Sequence, residues 1–288
     1  MTFTEKIAAK KFVVTTEVEP PKGVDVKGML DDAMLVKGRV DAMNVTDQQS
    51  SIMRLGSLAV CRLLMDRGIE PIFQLTCRDR NRIALQSDLL SASVLGIENV
   101  LLLTGDYPTL GDHPEAKPVF DLGSVQLLEA ARTLQEGKDM KGNLLKGAPR
   151  FCMGAVVNPG ADPLEPEIIK MEQKAEAGAQ FFQTQAVYDI DQFKRFADAS
   201  KHIKVPVLAG IVLLKSAGMA RYLNKSVAGV FVPDNIINEI EAAKDRTAVS
   251  IDIAVRLIKA LKPMCGGIHI MPIGWGKKVP MVLDAAGL

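Results

Sequence analysis

The chain has 288 residues, 48% hydrophobic and 24% charged, a balance that suits a globular enzyme and excludes a disordered or low-complexity chain. Its 35 Lys+Arg nearly cancel 34 Asp+Glu, and a net charge of +1 gives no electrostatic reason for a nucleic-acid partner. No apolar run approaches the ~18 residues of a membrane span, and the N-terminal apolar stretch is too short for a signal-peptide core, so a cytoplasmic protein without a membrane partner is expected.

In chain order, a short apolar run at 12–18 predicts a strand, and a second follows at 40–46. Helical spacing of Ile52, Leu55, Leu58, Ala59 and Leu63 predicts a helix over 51–68, ended by Gly68. Strands at 70–76 and 98–105 flank a helix at 82–96. A helix at 124–135 precedes a strand at 150–157, and a helix at 165–178 carries Pro166 in its first turn. Strands at 179–185 and 205–212, a helix at 248–262 and a strand at 266–274 complete the chain, with 228–233 as a further short strand or a connection. The runs are rich in Val, Ile, Leu and Phe and bounded by turn residues, as buried parallel strands are.

Eight strand–helix alternations in 288 residues predict a (β/α)8 TIM barrel occupying 1–288 as a single domain. The competing fold is a doubly wound open sheet. It needs a glycine-rich phosphate turn, whereas the first turn here is EVEPPKG, whose two prolines remove N–H donors. The longest loop, 106–121, follows a strand and is a candidate active-site cover.

Barrel enzymes place their chemistry at the C-terminal ends of the strands. Those ends carry Glu17 and Glu19, then Asn44 to Gln49 with Thr46, Asp47 and Gln49 among them. Gln74 and Thr76 follow, then Thr104-Gly105-Asp106, Asn158, and Gln183 with Gln185. Amides as numerous as charges suit a polar heteroaromatic ligand, because an amide presents a donor and an acceptor side by side. Glu17 lies in an apolar strand, the setting of a desolvated general acid or of a structural pair with a lysine. Asp106 can accept from a ring N–H or cap the next turn. Lys174 reads as a solvated helix face, His269 as a satisfied core histidine, and the sole tryptophan, Trp275, as packing or a stacking platform. Cys61, Cys77, Cys152 and Cys265 form no CxxC pair, and no metal ligand set is visible.

The set Glu17-x-x-Pro20-Pro21, Val45-Thr46, Gln74-Leu75-Thr76-Cys77, Leu103-Thr104-Gly105-Asp106 and Thr184-Gln185 followed by Tyr188-Asp189 resembles the methylenetetrahydrofolate reductase family, in order and spacing, from about residue 12 to 274. The resemblance implies a barrel with a non-covalent flavin, FMN or FAD, in its mouth. The implied reaction is reversible reduction of 5,10-methylenetetrahydrofolate to 5-methyltetrahydrofolate. It implies Glu17 as the acid that opens the five-membered ring and Asp106 as a carboxylate near flavin and pterin. Gln185 would bind the pterin edge. Thr46, Asp47, Gln49, Gln74, Thr104, Gly105, Asn158, Ala161 and Lys174 would contact the flavin, the last serving its phosphate chain. Departures at Gln173, Asn158 and Thr104 remove positive charge and bring FMN forward against FAD. The ending IHIMPIGWG, the substitution at Met219 and the short chain are similar to forms from acetogenic and related anaerobes. These work with a separate iron–sulfur subunit, so the electron donor is NAD(P)H or a protein redox partner, and an oligomer is expected. The alternative reading is a flavin-free pterin barrel that passes a methyl group to a corrinoid protein. A third is an electron-relay or scaffold subunit whose folate site has decayed.

Overall fold

The computed structural model describes residues 1–288. Eight parallel strands close into a barrel in sequence order: β1 (Val13–Val18), β2 (Ala42–Val45), β3 (Pro71–Thr76), β4 (Asn99–Leu103), β5 (Cys152–Val157), β6 (Phe181–Ala186), β7 (Val207–Val212) and β8 (Gly267–Met271). β8 pairs with β1, Val13 opposite Gly267 and Thr16 opposite Ile270, which closes the sheet. The helices are α1 (Phe3–Ala8), α2 (Lys27–Met34), α3 (Ser57–Met65), α4 (Arg82–Val94), α5 (Ser124–Gln135), α6 (Glu165–Glu176), α7 (Ile190–Ser200), α8 (Ala217–Ser226), α9 (Asp234–Ala242), α10 (Arg246–Leu261) and α11 (Val279–Ala286). This is the (β/α)8 barrel that the alternation predicts. The strands are apolar on both faces because one face fills the barrel and the other packs on helices.

One expectation is corrected and one open alternative is decided. Only Ser57–Met65 of the predicted 51–68 helix is α-helical. Before it, Gln48, Ser50 and Ser51 take left-handed φ values of 52°, 55° and 59°. The Leu55 N–H donates to the Pro21 carbonyl at 2.9 Å and Arg54 pairs with Glu19, so tertiary contacts at the strand ends outcompete a helical turn. Residues 228–233 are a connection, not a strand. The Asn224 side chain accepts from Val232 N–H at 2.6 Å and donates to its carbonyl at 3.0 Å, doing for that backbone what a neighbouring strand would.

Inward-facing residues alternate along each strand. The lower layer is apolar: Val13, Ala42, Ile72, Leu101, Cys152, Phe181 and Leu208 form one cluster, closed from below by Phe3 and Ile7 of α1. Phe3 meets Phe181 edge to face with centroids 5.1 Å apart. A Thr2 capping box starts α1, and the Phe3 N–H donates to the Glu70 carboxylate at 3.1 Å, so the plug is fixed at its first turn. Above this layer the interior turns polar: Thr15, Asn44, Gln74, Gln183 and His269 are all buried. That change of polarity puts the hydrogen-bonding groups under the open, C-terminal end of the barrel.

Candidate active site

Glu17 leaves the end of β1 with its side chain 8% exposed. Its Oε1 accepts from Gln49 Nε2 at 3.2 Å, and His269 Nε2 stands 3.7 Å from Oε2. No lysine or arginine pairs with it, so the structural lysine pair is not what the fold builds. Behind it, Gln74 Nε2 donates to Asn44 Oδ1 at 3.4 Å. Thr46 Oγ1, Gln183 Oε1 and His269 Nε2 are buried without a hydrogen-bond partner. Each such group costs about 1–3 kcal/mol when left unmet. A ring edge carrying donors and acceptors, as both a pterin and a flavin do, meets that need.

Just past β4, Thr104 and Asp106 are exposed and Gly105 between them has φ +92°. A Cβ on Gly105 would stand 3.1 Å from the side chains of Thr76 and Arg78, so the turn presses against β3 and only glycine fits. Arg78 carries no motif in the sequence, yet its side chain is 2% exposed at this point. Its guanidinium donates to the Asp106 and Gln48 carbonyls, both at 3.4 Å, and pairs with Asp79 at 2.7 Å. It therefore joins the ends of β2, β3 and β4. The signal that could have found it is a cluster of arginines directly after a strand end.

Three expected cofactor contacts have another use. Asp47 accepts from Thr76 N–H at 2.9 Å, Thr76 Oγ1 at 2.8 Å and the Arg80 guanidinium at 2.8 and 3.2 Å, so both oxygens are committed to holding β2 to β3. Burial works against the Arg80 charge, but Asp47 and Asp88 more than offset it and raise its pKa. The Asn158 amide donates to the Ala228 carbonyl at 3.0 Å and accepts from Gly160 N–H at 3.1 Å, fastening the β5 end to the connection before α9. Lys174 is buried, and its Nζ donates to the Val156 carbonyl at 2.7 Å. Burial lowers its pKa, and its charge is not presented to a phosphate. Ala161 lies half-buried in the turn that Asn158 starts, its N–H on the Asn158 carbonyl at 3.2 Å.

The register of β6 against β7 shifts between Gln183 and Ala186. The bulge leaves Gln183 buried inside the barrel and Gln185 exposed at its rim. Tyr188 donates to the Val212 carbonyl at 3.0 Å and Asp189 caps α7 through Gln192 N–H, so that part of the motif is scaffold. After β7 and β8, Lys215 Nζ lies 5.8 Å from the Trp275 ring centroid, a cation and an aromatic face side by side at the rim. Burial raises the Cys77 and Cys152 thiols to about 12, which leaves neither as a nucleophile.

Loop 106–121 is tied down at its middle and at its C-terminal end. Asp112 pairs with Lys22 and accepts from Met53 N–H at 3.0 Å, while Asp121 pairs with Arg82 at 2.9 Å. A Cβ on Gly111 would stand 1.9 Å from the Ser51 carbonyl oxygen, so the loop lies directly on the one that carries Gln49. Tyr107 and Phe120 close its neck with ring centroids 5.2 Å apart.

A sequence model of the family described as methylenetetrahydrofolate reductase matches residues 2–287. Among individual proteins, methylenetetrahydrofolate reductase 2 of Schizosaccharomyces pombe is 25% identical over 76% of this chain, which spans 36% of that protein. The 5,10-methylenetetrahydrofolate reductase of Pectobacterium carotovorum subsp. carotovorum is 25% identical over 86% of this chain and 80% of its own. The chain thus spans about a third of the longer eukaryotic relative. A Clostridium thermocellum protein described as binding two copies of 5-methyl-5,6,7,8-tetrahydrofolic acid has the same fold, with a TM-score of 0.65 at 17% identity over 98% of this chain and 95% of that one.

Proposed function

The chain belongs to the methylenetetrahydrofolate reductase family, and from that premise we propose that it interconverts 5,10-methylenetetrahydrofolate and 5-methyltetrahydrofolate at the mouth of its barrel. The observation that carries this reading is a set of unsatisfied buried atoms just past β2 and within β6 and β8, Thr46 Oγ1, Gln183 Oε1 and His269 Nε2, the last of them 3.7 Å from the Glu17 carboxyl. Thr46 follows the end of β2, while Gln183 and His269 lie within β6 and β8 in the polar layer of the interior. The name of the bacterial relative and the folate bound by the Clostridium thermocellum neighbour agree with it.

Glu17, protonated, gives its proton to the nitrogen that leaves as the five-membered ring opens. The C–N bond breaks with its electron pair on that nitrogen, and the remaining ring nitrogen forms the cationic iminium. The exposed carboxylate of Asp106 favours that cation. Gln183 and Gln185 serve the amide edge of the pterin. Lys215 and Trp275 suit the acidic tail and aryl ring of a folate. The strap formed by 106–121 limits water at the reacting carbon.

The inner end of the site also fits the ring of a flavin, with Thr46, Gln74, Thr104 and Gly105 as the residues that would hold it. A bound reduced flavin supplies the hydride that turns the methylene into a methyl group. NAD(P)H or a protein partner, such as an iron–sulfur subunit, would renew it. The second reading, a flavin-free folate barrel that transfers the methyl group, is favoured by one observation: Lys174, expected at the phosphate, is turned into the protein.

The test is anaerobic incubation with 5-methyltetrahydrofolate and an artificial quinone acceptor. The proposal requires 5,10-methylenetetrahydrofolate as product. Tight binding without oxidation, together with methyl transfer to a cob(I)alamin acceptor, would move the assignment to the second reading.

A further inference from the structure

His269 sits on β8 with no exposed surface, in the polar layer just beneath Glu17. Its Nδ1 is 2.9 Å from Thr15 Oγ1 and 3.5 Å from Asn44 Nδ2. Asn44 Oδ1 in turn accepts from Gln74 Nε2. The Asn44 amide turns its NH2 toward the ring, and an amide NH2 only donates, which gives this chain its direction. Gln74 donates to Asn44, Asn44 donates to Nδ1, and the neutral ring keeps its hydrogen on Nε2. That Nε2–H has no hydrogen-bond partner, and the Glu17 Oε2 is 3.7 Å away. The groups that meet the ring from β1 and β2 are the uncharged Thr15 and Asn44 together with Glu17, which no lysine or arginine pairs. A satisfied core histidine would use both nitrogens; this one holds a donor in reserve toward a single carboxylate.

We propose that His269 is a positioning residue for Glu17, whose Nε2–H receives the carboxylate that remains after Glu17 has given its proton to the substrate. The proton passes from Glu17 to the leaving nitrogen, and His269 stays neutral throughout. Glu17 then regains a proton from water in the cavity of about 120 Å³ that it lines between β1, α2 and the segment after β8. The separation of 3.7 Å shortens into hydrogen-bond range when the charge appears, as apo catalytic contacts commonly do. The role rests on the ring-opening chemistry proposed above. The tautomer does not, and that separates the two.

The first measurement is nitrogen NMR of the histidine-labelled wild-type protein, assigned with H113Q and H202Q, which alter only the exposed rings. A neutral His269 ring protonated at Nε2, whose resonance moves in E17Q, is the expected result. An Nδ1-protonated ring, or one that titrates like the exposed pair, would overturn the inference with no appeal to activity. The second measurement is the pH–rate profile of 5-methyltetrahydrofolate oxidation. In that direction Glu17 takes the proton back and must start ionised, so H269Q should lower the rate about tenfold on the acid side and move the ascending limb to higher pH, because a carboxylate that has lost a donor holds its proton longer; one pH unit corresponds to about that factor. A limb left in place with only a lower maximum would reduce His269 to packing. An inactive wild type with the expected tautomer would instead fault the ring-opening reading.

Discussion

Glu17 is set between Thr16 and Val18, both buried, and yet its carboxyl reaches Gln49 and faces His269. Glu17→Gln keeps the shape and removes the proton. The oxidation rate of 5-methyltetrahydrofolate should fall by about 100-fold or more, the usual worth of a placed group that gives the proton in reduction and takes it back in oxidation. Binding, followed by the fluorescence of the sole tryptophan, Trp275, should change little. A loss of activity that tracked a loss of binding would contradict the assignment. Asp47 makes the opposite prediction. Its side chain is fully buried against Arg80. Asp47→Asn should therefore cost about 2 kcal/mol in denaturant unfolding by removing the buried partner of the Arg80 guanidinium, which keeps only Asp88; a cost under about 1 kcal/mol would contradict the scaffold role. Polar residues at the ends of apolar strands stand out in a single sequence, and that made Glu17, Thr46 and Gln74 legible. What neutralises a charge does not stand out. Asp47 meets an arginine 33 positions on, and Lys174 is claimed by a backbone carbonyl. His269 was visible as a buried histidine, but its neighbours Thr15 and Asn44 lie 254 and 225 positions away, so its spare donor exists only once β8 pairs with β1.

At the level of elements, the periodicity of the strands and the longer helices was legible because each is governed by its own residues, and α5 falls on its predicted span, Ser124–Gln135. The start of α3 was not, because Leu55 and Arg54 answer to Pro21 and Glu19 rather than to their own neighbours. α1 plugs the barrel with Phe3, which has no exposed surface. Phe3→Ala should cost about 3–5 kcal/mol in urea unfolding, and a cost below about 1 kcal/mol would show that the plug is ornamental. The 106–121 strap depends on ionised carboxylates. The Arg82 side chain and its backbone N–H hold the Asp121 pKa down at about 2, against an ordinary 3.8. Lys22, His113 and the Met53 N–H hold Asp112 below the carboxylate range as well. A depressed folded pKa makes the contribution of each clasp complete above the unfolded value. It is lost as pH falls through about 3.8 toward about 2. Pepsin cleavage within the strap should accelerate across that window, and Asp112→Asn should show the fast pattern already at its upper edge. Equal cleavage throughout would contradict the clasps.

Across the whole molecule, β1, β2, β3, β6 and β8 turn buried polar groups toward one end of an apolar cylinder, so the site exists only when the barrel is closed. The barrel itself was legible from the count and spacing of alternations. So was the side of it that carries chemistry, since parallel strands all end at the same rim. The occupant of that rim is less legible, because the buried amides that read a pterin read a flavin ring equally well, and the cation expected for a phosphate is spent inside. The central claim is therefore tested most directly by the visible absorbance of the purified protein before and after anaerobic 5-methyltetrahydrofolate. The account predicts a flavin band, native or restored by added FMN or FAD, that bleaches on addition of the folate. A protein that takes up neither flavin nor folate would contradict it.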